Sequence, residues 1–460
     1  MKSVNSLPRQ LFNLSWPVLV AQAAVMANTL IDTLMAGRIS PADLAAVGVG
    51  SSIYATVFVS AMGVMLALPP IVAHHFGARR FSDIGADVRQ SAWLALFLSI
   101  AAMLALKFPE PLLSFSQIEP ALEVKVRAYL DGVSWSIPAM LFFRVFYGFT
   151  MGIGRPRPIM VLNISGLGLK LLFNYLLMFG HFGFPALGGA GAGWSTAAVM
   201  SLLAIGAWVW CYRERSFSEY QLFVCFDWPQ IRAIKELLRL GVPTGLMFLI
   251  DVTAFTFMAL FIARLGAATS AAHQIVSSVV IFLYTVPLAF GNATGVLVGQ
   301  ALGADDPARA RRVGLLGLQI GSTISLLFGV SVALNAFSIA GWYSSDEQVR
   351  KIAASLLIIV AVFHPADALQ GVMAQILRGY KRATVPMLIY AVALWGVGLG
   401  GGYLFGLTNV FGPPLGAVGF WLAASGGLAL AGISVTFYFH RVAAHAVDVL
   451  PMLVGKGVTN

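Results

Sequence analysis

Six ionisable side chains fall inside long apolar runs of the 460-residue chain: Asp32, Arg144, Lys170, Asp251, His364 and Asp367. Asp32 stands in "TLIDTLMAG", near the end of a run from about Leu11 to Ala36 that carries no other charge. A charge at membrane depth costs roughly 3 kcal/mol on insertion scales, so such groups normally face an interior cavity and mark a substrate or ion path. The competing role is a structural ion pair that ties helices together. Three deep acids against two deep bases leave at least one acid uncompensated, which favours function. Asp251 and Asp367 both fall in the second half, where two neighbouring carboxylates can hold one shared proton or a bound Na⁺. Asp32 shares the first half with Lys170 and Asn174 as candidate partners. A Lys170 that reaches Asp32 makes a structural pair; one that does not leaves a titrating acid, and the sequence leaves both open. Arg144 reads as structural, capping carbonyls or snorkelling. His364 directly precedes Pro365 and reads as a kink-associated helix position.

The elements that position these groups are membrane helices. Hydrophobic residues make up 58% of the chain and charged residues 10%, against about 25% charged in soluble domains. Mean hydropathy is +0.83. Apolar runs fall at about 11–36, 46–73, 90–108, 128–151, 158–180, 187–212, 240–264, 272–299, 314–341, 351–376, 386–407 and 415–440. Each approaches or exceeds the ~20 residues a helix needs to cross ~30 Å of hydrocarbon. They are too long, and too little alternating, for barrel strands. The net charge of +10 comes from Lys and Arg in short connections between these runs, a topology signal rather than a nucleic-acid surface. Twenty of the 29 basic residues lie on the side of the termini and the even-to-odd loops, which places both termini in the cytoplasm. Cys211 and Cys225 form neither a disulfide framework nor a metal site.

The chain is written twice. Pro17 aligns with Pro243, Gly77 in "HFGARR" with Gly303 in "ALGADD", Pro138 with Pro365, and Gly152 with Gly379, all at an offset of 226–227. The first run therefore has a counterpart in the seventh and belongs to the fold, despite a start that resembles a leader ending in "AQA". Each half holds an even number of spans, so the halves share orientation and are related by an axis along the membrane normal. The expected architecture is all-α and polytopic: a six-helix bundle over 1–212, a basic, amphipathic cytoplasmic linker over 213–239, and a second six-helix bundle over 240–460. Sites in such transporters lie near the midplane. No G-x-S-x-G, H-E-x-x-H, P-loop or Cys/His metal spacing occurs, so the expectation is a transporter, not an enzyme, driven by an ion gradient or by the substrate's own gradient and without a cofactor.

The segments "DTLMAG" after the first run, "LRGYKRATVPM" after span 10 and "HQIVSSVVIFLYTVP" opening span 8 resemble the multidrug and toxic compound extrusion (MATE) family, in its NorM-like bacterial branch, over essentially the whole chain. The resemblance implies that Asp32 is the first-half acid linked to proton or drug coupling, with Asn174 in "FNYLLMFG" beside it. It makes Asp251, where many NorM-like proteins have Glu, and Asp367 the second-half acids, with Na⁺ as a possible ligand. Tyr284 in "LYTVP" becomes the aromatic residue near the cation site. Asp346, before span 10, matches a position that holds cationic drugs, and Lys170 stands near the substrate path where some relatives carry Asn. The implied activity is export of amphipathic, mostly cationic organic compounds across the bacterial cytoplasmic membrane in exchange for H⁺, Na⁺ or both, by a monomer surrounded by the lipid bilayer and without nucleic acid. A lipid-linked oligosaccharide flippase of the same wider superfamily would want a cationic central cavity and extra helices. A non-transporting membrane sensor or scaffold would need no deep acids in both halves.

Overall fold

The computed structural model describes residues 7–110 and 119–456; the chain ends assigned to the cytoplasm from charge bias lie outside these. All regular structure among the described residues is helical. The first half holds α1 (Leu7–Ile39), α2 (Pro41–Met65), α3 (Leu68–Gly77), α4 (Phe81–Lys107), α5 (Pro120–Ser134), α6 (Ser136–Gly152), α7 (Arg157–Phe179) and α8 (Gly189–Arg213). A short 3₁₀ turn at Arg215–Tyr220 follows. The second half holds α9 (Ile231–Ala263), α10 (Ala267–Gly303), α11 (Pro307–Leu334), α12 (Ala336–Tyr343), α13 (Glu347–Gly379), α14 (Thr384–Ala391), a π-helical segment (Val392–Gly400), α15 (Gly401–Leu407) and α16 (Ala417–Lys456).

Among the described residues, eleven helical stretches are long and apolar enough to cross a membrane, and the all-α polytopic expectation is met. The twelfth crossing, expected over 128–151, is split into α5 and α6, which meet at Trp135. Pro138 explains the split. Its ring would clash with the carbonyl four residues back and it offers no N–H, and a break that puts it in the first turn of a new helix relieves both. Span 2 breaks the same way between α2 and α3, just before Pro69 and Pro70.

The chain forms two compact units, Trp16–Gly245 and Met1–Ser15 with Leu246–Asn460. Both divisions fall inside a helix, close to Pro17 of α1 and Pro243 of α9. Each proline removes a ladder hydrogen bond, so the helix is weakest there.

In the Trp16–Gly245 unit, α5 and α8 cross through glycines. A Cβ on Gly193 would meet the Tyr129 carbonyl oxygen at 2.5 Å, and one on Gly132 would meet the Trp194 nitrogen at 2.9 Å. Without a hydrophobic drive between helices in lipid, such close backbone approach is what packing gains from. Phe146, Phe149, Ile137 and Leu130 fill the core, all fully buried. From Ile231 onward, the stretch read as linker is already α9; what precedes it straps onto α4. Arg89 donates to the Asp227 carboxylate (2.6 Å) and to the Gln221 carbonyl (2.6 Å), and Trp93 Nε1 donates to the Asp227 carbonyl (2.8 Å). Gln90 donates to the Trp228 carbonyl (3.0 Å) and accepts from the Gln230 N–H (2.7 Å).

In the other unit, α10 and α13 touch backbone to backbone. A Cβ on Gly295 would stand 2.5 Å from the Gln375 carbonyl oxygen, and one on Gly379 2.6 Å from the Gly295 carbonyl oxygen. This contact brings Tyr284 on α10 and Asp367 on α13 to facing helix surfaces. One apolar core surrounds Trp421, Phe420 and Phe363, and a second surrounds Phe439 and Ile376 with Leu11 and Leu14 packed in.

Candidate functional site

The deep polar residues gather into two clusters, one in each unit. In the Trp16–Gly245 unit, Lys170 and Asn174 are one turn apart on α7 and both reach Asp32 on α1. Lys170 Nζ lies 2.9 Å from Asp32 Oδ1, and Asn174 Nδ2 donates to the same oxygen at 2.7 Å. Lys170 also donates to the Ala192 carbonyl (3.1 Å) and to Thr196 Oγ1 (2.5 Å) on α8. An ammonium has three protons, and here all three are spent. The Lys170 side chain is 3% exposed and that of Asp32 14%. Asn174 Oδ1 is buried without a hydrogen-bond partner. The sequence offered both a paired and an unpaired Asp32; the structure pairs it. Thr196 and the Ala192 carbonyl were not singled out from sequence. A threonine in "GWSTAAVM" carries no signal that separates it from helix packing.

In the other unit, among the described residues, neither deep acid is paired with a base. Asp251 on α9 accepts a hydrogen bond from the Tyr390 hydroxyl on α14 at 2.5 Å. Asp251 and Asp367 lie within electrostatic reach of each other, and the phenols of Tyr284 and Tyr390 lie in the field of both. Among the described residues no Lys or Arg nitrogen comes within 4.0 Å of either carboxylate. The Tyr284 hydroxyl stands directly over Gly371, where a Cβ would meet it at 2.2 Å. Gly371 is one turn beyond Asp367, so the missing side chain admits the phenol beside the acid. Just after Tyr390 the helix widens into the π-helical segment Val392–Gly400, a form that recurs at functional sites. Within it, Trp395 Nε1 donates to the Ile250 carbonyl at 3.2 Å, next to Asp251. Tyr390 and Trp395 were missed in the sequence, where "LIYAVALWG" reads as an ordinary apolar run.

Carboxylate and phenol oxygens are the donors a hard cation takes. Among the described residues no three His, Cys, Asp or Glu side chains converge on one point, so a cation here would rest on Asp251 and Asp367 with phenol or carbonyl oxygens. His364 is fully buried with neither ring nitrogen hydrogen-bonded. Asp346 lies elsewhere, as the N-cap of α13: its carboxylate accepts from the Val349 N–H (2.9 Å) and its own N–H donates to Ser344 Oγ (3.1 Å).

A family profile described as MatE matches residues 17–176 and 243–404. The two matched segments begin 226 and end 228 residues apart, the offset at which the sequence repeats itself. A probable multidrug resistance protein NorM of Aromatoleum aromaticum is 40% identical over 398 residues, covering 86% of this chain and 85% of the relative. The multidrug resistance protein PmpM of Pseudomonas aeruginosa is 36% identical, covering 95% and 91%. A NorM of Shewanella oneidensis is 33% identical, covering 100% of both. Among solved structures, a MATE transporter in a bent conformation superposes with a TM-score of 0.88 at 18% identity, covering 98% of this chain and 99% of that one. That likeness carries the fold, two bundles and twelve spans; the sequence matches carry the family. Matched in both halves and along nearly its whole length, the chain belongs to the MatE family of membrane transporters, among its NorM-like members.

Proposed function

We propose that this transporter is a secondary active antiporter of the bacterial cytoplasmic membrane, exporting amphipathic, mostly cationic organic compounds in exchange for inward H⁺ or Na⁺. The names of its relatives, multidrug resistance proteins NorM and PmpM, support the multidrug reading. One observation carries the coupling: Asp32 is neutralised by Lys170, whereas Asp251 and Asp367 lie within electrostatic reach of each other with no base paired to either among the described residues. Two like charges at depth repel and favour whatever supplies a counter-charge. A proton, a Na⁺ or a cationic substrate each does so. Competition for the same pair of carboxylates gives antiport, because the incoming ion removes the charge that holds the drug.

The residues divide the work. Asp251 and Asp367 hold the coupling ion, Tyr390 fixes one oxygen of Asp251, and Tyr284 offers a ring and hydroxyl to the cation. Asp32, Lys170 and Asn174 clamp spans 1, 5 and 6 and line the first-half path. Asp346, exposed at the start of α13, meets cationic substrate at the mouth. The spans form halves over 1–212 and 240–460 joined through 213–239, working as a monomer by alternating access, with both termini cytoplasmic.

The test is drug accumulation in cells with a collapsed proton gradient, with and without Na⁺, for the parent and Asp367→Asn. Export by the parent should stop when its driving gradient is removed. Asp367→Asn should reach the membrane at normal abundance and lose most export. Export that survives removal of both gradients rules out antiport; full export by Asp367→Asn removes that residue from the mechanism.

A further inference from the structure

The strap over 214–230 has two unlike sides. It joins α8 to α9, two helices long and apolar enough to cross a membrane, so it lies at a membrane surface. Its inner side is fixed. Phe217, Tyr220 and Leu222 are buried, and the Tyr220 ring stands edge-on to Phe81 and Phe149 at 5.5 and 5.3 Å. The backbone presses so close on α4 that a Cβ on Gly85 would meet the Tyr220 carbonyl oxygen at 2.2 Å. The outer side is apolar and open: Val224, Phe226 and Trp228 are 71%, 70% and 74% exposed, and Phe223 is half exposed. Exposed apolar residues scattered singly are ordinary, but a contiguous group on a rigid segment marks an interaction surface.

Two helices fix the depth of this face. α4 is charged up to Arg89 and free of charge from Ser91 to Leu106, so Trp93 stands where its apolar run begins. Trp228 stacks on Trp93 at 6.4 Å with the rings 11° from parallel, and Phe226 meets the same indole edge-on at 5.8 Å. Trp93 in turn stacks on Phe97 at 6.2 Å. Phe97, Ile100 and Leu104 continue the ridge at helical spacing and are exposed, the surface that acyl chains take on a membrane-crossing helix. α8 carries no charge from Gly189 to Tyr212 and its first at Arg213. Phe223 stands edge-on to Trp208 and Tyr212, in the last turns before that charge, at 6.0 and 6.1 Å. Both helices thus hold the outer rings at the level where charge gives way to apolar residues. In a bilayer this is the boundary between headgroups and acyl chains, where Trp and Tyr concentrate.

We propose that the outer face of the strap, centred on Val224, Phe226 and Trp228, is a lipid-docking surface seated at the headgroup–acyl boundary. Its rings extend the lipid-facing ridge of α4 and hold the α8–α9 connection to the bilayer. An indole suits the place, with an apolar body for acyl chains and an N–H for headgroup oxygens. Charge contributes little to the docking. Residues 213–239 carry five basic and four acidic side chains, and one of the acids, Asp227, is paired with Arg89. That near-balance is unlike the clusters of Lys and Arg that recognise anionic lipid. The surface is independent of what the protein exports.

The experiment uses the full-length protein in phosphatidylethanolamine–phosphatidylglycerol nanodiscs with a nitroxide label. Cys225, which is exposed, is replaced by Ser, and the buried Cys211 stays in place; that protein is the labelling blank. The label is then carried by Val224→Cys or, as the polar control on the same strap, by the exposed Ser218→Cys. Collision with oxygen, which partitions into lipid, is compared with collision with a water-soluble nickel chelate. The ratio of oxygen to nickel access should be severalfold higher at 224 than at 218. Equal ratios overturn the proposal. Low access of both reagents to 224 overturns it as well, a second copy being the cover if dipolar broadening appears in discs loaded with two chains. Replacing Phe226 and Trp228 together by Ser should bring the ratio at 224 down to that at 218; an unchanged ratio would show that the rings do not seat the strap. Should that variant fail to assemble, the comparison of 224 with 218 decides alone. Discs of phosphatidylcholine should leave the ratio at 224 unchanged, and its collapse there would assign the docking to headgroup charge and overturn the aromatic surface.

Discussion

The pairing of Lys170 with Asp32 makes a stability prediction that a proton-carrying Asp32 would not. Asp32→Asn keeps the shape and the bond from Asn174 but removes the charge opposite Lys170. The ammonium then retains two of its three acceptors, Ala192 and Thr196, and sits 3% exposed with no counter-charge. Breaking a buried pair from one side costs about 3–5 kcal/mol, because the survivor is stranded. For a compact unit of some 230 residues (Trp16–Gly245), that is a fall in melting temperature of about 6–20 °C at roughly 2–4 °C per kcal/mol. Lys170→Met should cost a similar amount, since Asp32 then keeps only Asn174. The double variant removes both charges and should return to within about 1 kcal/mol of the parent, a coupling of roughly 5–9 kcal/mol, well above the ~0.5–3 kcal/mol usual for contacting residues, because each single variant strands a buried charge. The assay is thermal unfolding of all four proteins in detergent, paired with ion-driven export in vesicles. A clamp predicts that export follows stability and that the double variant regains both. The reasoning fails if Asp32→Asn melts like the parent yet loses export, because the acid would then matter for what it binds and not for the lysine it neutralises.

Two further outcomes follow from the same structure. Gly371→Ala places a methyl where the Tyr284 hydroxyl now stands, 2.2 Å away, so the phenol must leave Asp367. The KM for a cationic substrate should rise severalfold at normal abundance, and Tyr284→Phe in the same chain, by removing the clashing atom, should recover most of it; no change in KM would mean that Tyr284 does not serve the site. On the strap that precedes α9, the hydrogen bond from Arg89 holds the Asp227 carboxyl below the usual carboxylate range. A carboxyl depressed in the folded state stabilises above its unfolded pKa of about 3.9 and loses that contribution as pH falls through its folded value. Amide exchange over 221–230 should therefore accelerate on acidification below about pH 4, and Asp227→Asn should exchange faster already at neutral pH and lose the pH dependence; exchange indifferent to both would show that the ion pair does not hold the strap.

What could be read from the sequence, and what could not, follows from the range of each interaction. Apolar runs are local, so the spans and the doubled layout are written along the chain, whereas the break before Pro138 was read as part of one continuous crossing. Deep acids are also local: Asp32, Asp251 and Asp367 stand out against hydrocarbon-length runs because each costs energy there. Their partners are not local. Lys170 meets Asp32 across 138 positions, and Tyr390 meets Asp251 across 139. Nothing in the run around Tyr390 distinguishes a phenol that bonds an acid from one that packs, and the widening of the helix behind it follows from tertiary fit more than from composition. Arg144 was read as capping or snorkelling, the usual fate of a membrane arginine; its contact with the Tyr147 and Phe58 rings on a buried helix depends on where α2 passes, which no window of α6 contains.

The repeat sharpens the division of labour between the clusters. At the offset of 226 that separates the starts of the two matched segments, Asp32 falls opposite Met258 and Asp251 opposite Val25. The scaffold is thus repeated while the chemistry is not. Glycines and prolines keep their places because they serve helix approach and helix breaks, which both halves need. The acids do not, because two equivalent acid sites would compete for the same ion and substrate without distinguishing a holding role from an exchanging one. A first half whose acid is already neutralised can present a polar, net-neutral wall in every state of the cycle. A second half whose acids pair with no base among the described residues would, in the proposed function, take its counter-charge from outside the protein, so the state of that unit would follow what is bound. In the antiport cycle proposed above, this asymmetry would let a single ion site govern the cycle.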